Sequence, residues 1–221
     1  MSYCEIDAHY NFKELHDKKV IDKANNNVGF IHDLVFDSKM NLIAFVLKGS
    51  PLNELVKKIE SKKDVELVIP IDDVESIGEY IVLSKEKSEL KNYLDKNVIP
   101  KGSYFYNNLK NMEILDAEDK KIGTIGGLVL LPCREISFLV RGSVLDKIAT
   151  SLGLLDEWDL LLPVDHITTI TEKKMKIDLT KDSLENAFKQ RHLDVHDAKK
   201  YLDSRKVEKQ TDIHMLARRY G

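Results

Sequence analysis

At 221 residues, 43% hydrophobic and 32% charged, the chain has enough material to bury one or two ordinary cores, and the composition is that of a folded protein. No run reaches the roughly 18–20 consecutive apolar residues of a membrane span, and the start MSYCEIDAHYNF has neither a basic nor an apolar leader-like segment, so a cytoplasmic protein is expected. Net charge is −3, and residues 181–221 hold ten Lys/Arg against seven Asp/Glu, a mildly basic tail of +3 on a body of −6.

Along the chain, residues 19–84 break into short apolar runs separated by turn chemistry. The runs are KVID, GFIHDLVFD, LIAFVLK, DVELVIPI and IVLS, with NNN and DSKMN as turns where Asn and Asp tolerate left-handed backbone. After LIAFVLK comes Gly49-Ser50-Pro51. Ser50 is placed to cap a helix, Pro51 suits its first position, and Leu52, Leu55, Val56 and Ile59 form one apolar stripe. A short helix is expected there.

The same order then recurs. KVIDKANNNVGFIHDLVFD at 19–37 is answered by EILDAEDKKIGTIGGLVLL at 113–131, with Gly29 and Gly123 94 positions apart. Phe45 and Phe138, Gly49 and Gly142, Ser50 and Ser143, Pro70 and Pro163, Asp72 and Asp165, and Ile77 and Ile170 are all 93 apart. An offset that slips only at a hairpin tip implies duplication of one β-rich unit. Gly29 and Gly123 fit a bulge or sharp bend in a small barrel. In the second copy Leu145, Ile148, Ala149 and Leu152 repeat the helical stripe.

The segment between the copies reads as a helix, a Pro-Gly turn and an aromatic connection, with Tyr104, Phe105 and Tyr106 expected to seal an interdomain contact. Beyond Asp178 the pattern becomes helical. Asp182 with Glu185, then Asp194, then Asp212 each lead an apolar stripe, the last through Ile213, Leu216, Ala217 and Tyr220. Three short helices are expected, each too short to stand alone in water.

The carriers KKVIDKANNNVGFIHDLVFD and LVIPIDDVESIGEYIVL in the first copy, with MEILDAEDKKIGTIGGLVLL and LLLPVDHITTI in the second, resemble the PRC-barrel family over residues 15–84 and 110–178. Two features depart from the family: Gly127 stands where the first copy has Asp33, and both copies insert the capped helix, a variant similar to tandem PRC-barrel proteins of archaea. The resemblance implies a mainly β fold with some α: two tandem small PRC-type barrels, each with an inserted short helix, plus a C-terminal helical tail. The expected boundaries are 1–90 for the first barrel, 91–109 for the linker, 110–180 for the second barrel and 181–221 for the tail. The resemblance also implies binding rather than catalysis, with a setting at the archaeal FtsZ-based division machinery and its membrane-anchor protein.

Candidate chemistry is weak. Ser50 and Ser143 lack a duplicated base nearby, so they read as caps. Asp72-Asp73 and Asp165-His166 follow a strand-ending Pro and read as turn residues that bond their own backbone. His192 and His196 have i, i+4 spacing, but Asp194 between them is a helix start, which breaks a ligand geometry. Cys4 and Cys133 have no metal or disulfide pattern. No enzyme, catalytic residue, cofactor or metal is expected. The candidate partner contacts are Trp158, the single tryptophan, together with Phe188, Tyr201, Leu216 and Tyr220 on the tail. The reading is therefore a non-enzymatic adaptor with a protein partner, able to homodimerise, in the cytoplasm and, as the resemblance implies, recruited to the division site. The alternative is an RNA-binding or ribosome-assembly factor using the basic tail, and a third reading is a small-ligand sensor.

Overall fold

The structure is a computed structural model that describes residues 5–6, 10–50, 66–93, 99–131, 135–142, 158–184 and 214–217. It is mainly β with short helices, and it divides into two units: Met1–Asn108 with Leu130–Glu135, and Leu109–Val129 with Ile136–Gly221.

In the first unit, β1 (Glu5–Ile6) and β2 (Tyr10–Asn11) precede α1 (Phe12–Leu15). Asn11 and Glu14 close α1 with a reciprocal capping box, the Glu14 amide donating to Asn11 at 3.0 Å and the Asn11 amide to Glu14 at 2.8 Å. Then come β3 (Lys19–Ile21), β4 (Asn27–Phe36), β5 (Leu42–Lys48), β6 (Leu67–Pro70), β7 (Val74–Ile77) and β8 (Ile81–Leu83). All but β2 order as β1-β7-β8-β3-β4-β5-β6. The 3-10 turn Ile71–Asp73 joins β6 directly to β7, although these strands lie far apart in that order. Three residues can bridge them only if the sheet rolls, as in a small barrel.

The second unit repeats this: β10 (Glu113–Leu115), β11 (Lys121–Leu130), β12 (Ile136–Arg141), β13 (Trp158–Pro163), the turn Val164–His166, β14 (Ile167–Ile170) and β15 (Lys174–Ile177). The register repeats with the sequence. Phe45 faces Ile69 and Phe138 faces Leu162, each pair 93 residues from its equivalent. Left-handed backbone falls on the expected polar turns, at Asn25 and Asp119.

Gly29 and Gly123 lie where strands pass unusually close. A Cβ on Gly29, whose φ is +149°, would meet the Lys48 carbonyl oxygen at 2.9 Å, and one on Gly123 would meet the Arg141 carbonyl oxygen at 2.3 Å. Both sit at register shifts, between Val20 and Ile21 and between Ile114 and Leu115, as a bulged bend requires.

The aromatic connection folds onto the first unit. Tyr104 and Phe105 form β9, which pairs with β4 through Phe36 and Val35. Phe105 and Ile99 pack on Val35, Ala44, Val46 and Val68. Tyr106 opens α2 (Tyr106–Leu109), is buried, and lies 4.2 Å from the Phe12 ring, centroid to centroid. Each such buried ring or aliphatic side chain stabilises the unit by roughly 1.5–3 kcal/mol.

The tail departs from expectation in two places. Residues 181–184 are helical, but the Thr180 hydroxyl caps them, accepting the Ser183 amide at 3.2 Å, so the cap is Thr180 and not Asp182. The third expected tail helix is a strand over its described part: Leu216 and Ala217 belong to β16 (His214–Ala217). A short helix has little stability alone, whereas a sheet edge offers a ladder of backbone partners. The helices after Gly49-Ser50 and Gly142-Ser143, the other tail helices, His192, His196, Phe188, Tyr201 and Tyr220 lie outside the described residues. Ser50 itself is fully buried.

Candidate protein-binding edge

The residues WDLLLP at 158–163 form a strand because a run of three leucines between polar and proline boundaries suits a strand buried on both faces. Leu160, Leu161 and Leu162 are all buried. One side of β13 pairs with β12 from Val140 to Ser137. The other side carries β16, antiparallel, and the second sheet therefore reads β14-β15-β10-β11-β12-β13-β16.

The register across that edge is Trp158 opposite Ala217, Asp159 opposite Leu216, Leu160 opposite Met215 and Leu161 opposite His214. Two of the five candidate partner contacts, Trp158 and Leu216, thus fall on neighbouring strands one position apart. The pairing ends before Pro163, which has no amide hydrogen to offer a ladder. This is strand addition: a segment remote in sequence supplies backbone groups to a sheet edge, with affinity carried by main-chain hydrogen bonds.

The polar residues singled out in sequence play structural parts. Asp73 does not bond its own turn: its carboxylate pairs with Lys85 at 2.8 Å, and Lys85 also donates to the Tyr93 hydroxyl. The turn is held to the end of β8 by the Ser84 amide on the Asp73 carbonyl at 2.9 Å, which brings Lys85 alongside. In the second unit the same backbone bond runs from Asp178 to His166 at 3.0 Å, and there the His166 Nδ1 meets Asp178 at 2.8 Å. The acid has moved from the turn to the strand end.

Buried aspartates were the main features the sequence reading passed over. Asp22 accepts the amides of Ala24, Asn26 and Lys87, and Asp116 those of Glu118, Lys120 and Lys181. Burial pushes both carboxyls up, but these bonds outweigh it, and both are held below the usual carboxylate value. Their signal was an aspartate ending the first strand of each copy, 94 positions apart. Asp33, 6% exposed, accepts the Leu34 and Asn107 amides at 2.8 and 3.1 Å and so fixes the start of α2. Burial pushes its carboxyl above the usual value despite those bonds. Among the described residues no group of three or more His, Cys, Asp or Glu could hold a metal ion, and no helix is long and apolar enough to cross a membrane.

No family model matches the chain, and no curated protein does. Among solved structures it is similar to one from Pseudomonas aeruginosa described as a 16S ribosomal RNA processing protein, RimM, at 15% identity over 69% of this chain and 98% of that chain, with a TM-score of 0.28. At that distance the reading of the edge rests on the geometry of this chain itself.

Proposed function

We propose that the protein is a non-enzymatic docking protein that takes an extended segment of a protein partner along β13, at the edge where its own tail strand lies. The observation that supports this reading is β16 on β13: the edge is competent for strand addition, and its occupant is a four-residue strand, His214–Ala217, remote from β13 in sequence. In this reading the partner displaces β16, and Trp158 and Leu216 belong to the exchange.

Two settings are open for such a protein. Ribosome assembly, with RNA beside the protein partner, agrees with the description of the RimM structure, while the archaeal division machinery rests on the resemblance to the PRC-barrel family alone. Recovery of partners from native lysate, with and without nuclease and at low and high salt, separates them. A protein partner that survives nuclease and is recovered better after removal of residues 212–221 supports docking at β13. Recovery that is lost with nuclease or falls steeply with salt points to RNA, and recovery that falls when 212–221 are removed contradicts displacement.

A further inference from the structure

The second unit has another edge, β14. In the first unit the equivalent strand, β7, is covered by β1, which runs parallel to it with Glu5 opposite Ser76 and Ile6 opposite Ile77. Among the described residues β14 pairs with β15 alone. Thr168 and Thr169 are exposed, and Ile167 and Ile170 half-buried. Residues 167–171 read Ile-Thr-Thr-Ile-Thr: every side chain is β-branched, and there is no charge and no proline. Sheet edges that must stay single usually carry a charge or a proline.

The backbone marks which part of this edge can pair. Both strands are irregular at the same place, between Val74 and Ser76 in β7 and between Ile167 and Thr169 in β14. The first unit accepts β1 just beyond that irregularity, so the usable stretch of β14 starts at Thr169. The Thr171 amide donates to the Lys174 carbonyl at 2.9 Å. Because backbone groups alternate in direction along a strand, the amide and carbonyl of Ile170 point away from β15, toward the side on which no described strand pairs.

We propose that β14 is the contact through which two copies of this chain pair, antiparallel about Ile170. A two-fold axis through an antiparallel pair requires one residue to face itself, and Ile170, with both backbone groups directed outward, can exchange two hydrogen bonds with the Ile170 of the second copy. Thr169 of each copy then faces Thr171 of the other, a favourable cross-strand pair. Glu172 and Lys173 lie in the two-residue turn that the Thr171–Lys174 bond closes, outside the paired stretch Thr169–Thr171.

Sedimentation equilibrium of the full chain, from low to high micromolar concentration, tests this. The wild type is expected to pass from a 25.4 kDa monomer to twice that mass. Thr169→Lys, at an exposed position, is expected to remain monomeric with an unchanged melting temperature. Thr169→Lys with Thr171→Glu places opposite charges across the axis and is expected to regain the dimer at low salt and lose it at high salt. Since the Thr171 hydroxyl also accepts the Lys174 amide, hydrogen exchange supplies a second readout: the Ile170 amide slows with concentration in the wild type and not in Thr169→Lys. A wild type that stays monomeric throughout, a dimer indifferent to Thr169→Lys, or an Ile170 amide indifferent to concentration overturns the proposal. None of these outcomes bears on docking at β13.

Discussion

Replacing Asp116 with alanine removes the one acceptor shared by three amides. The Glu118 and Lys120 amides, at 2.9 and 2.8 Å from Oδ1, sit on an exposed turn where water can take over, at about 0.5–1 kcal/mol each. The Lys181 amide, 2.9 Å from Oδ2, is half-buried and ties the start of the tail to the turn after β10; its loss costs about 1–2 kcal/mol. The total, about 2–4 kcal/mol, is a large part of the ~5–15 kcal/mol that holds an ordinary domain together. Trp158 is the single tryptophan and lies on β13 of the second unit, so its fluorescence during urea unfolding reports that unit. The midpoint is expected to fall by about 1–3 M. Asp116→Asn keeps Oδ1 but presents an amide group to Lys181, and its loss should be smaller. Because the native carboxyl is held below its usual value, its contribution is present above the unfolded value near 4 and is lost as pH falls through the native one. The alanine variant should therefore approach the wild type in acid. A midpoint shift below about 0.3 M at neutral pH, or equal losses for Ala and Asn, would refute this reasoning.

Gly123→Ala forces a Cβ to within 2.3 Å of the Arg141 carbonyl oxygen, a backbone atom that cannot swing aside, and should cost at least ~3 kcal/mol or prevent folding of the second unit; circular dichroism melting checks it. Asp33 behaves oppositely to Asp116: its raised carboxyl penalises the folded state at neutral pH, and the penalty fades as pH falls through its native value toward the unfolded one near 4. Asp33→Asn, which can still accept the Leu34 and Asn107 amides, should therefore compare more favourably with the wild type at neutral pH than in mild acid, as read from paired melting curves.

The duplication was legible because a repeated fold repeats its strand lengths and turn residues, and because hairpin tips absorb single-residue slips. A second slip, which moves the offset from 93 at Ile77 and Ile170 to 94 at Ile81 and Met175, lies at the tip between the last two strands of each unit. The aspartate staples were half-legible. Asp22 and Asp116 mark themselves by position, but the third donor to each comes from 65 residues away, which no local pattern reveals. The tail misled for a different reason. Ile213, Leu216 and Ala217 have helical spacing, yet over four residues a helix and a strand look alike, and the deciding factor is the β13 edge, which exists only once the sheet has formed. Asp73 likewise takes its partner, Lys85, from a neighbouring strand end and not from its own turn.

Hydrogen exchange along β13 and β16, with the full chain alone and with its recovered partner, tests the docking account most directly. The account predicts that amides at 158–162 stay slow in both states while those at 214–217 turn fast once the partner is bound. Bound partner with 214–217 still slow would contradict it.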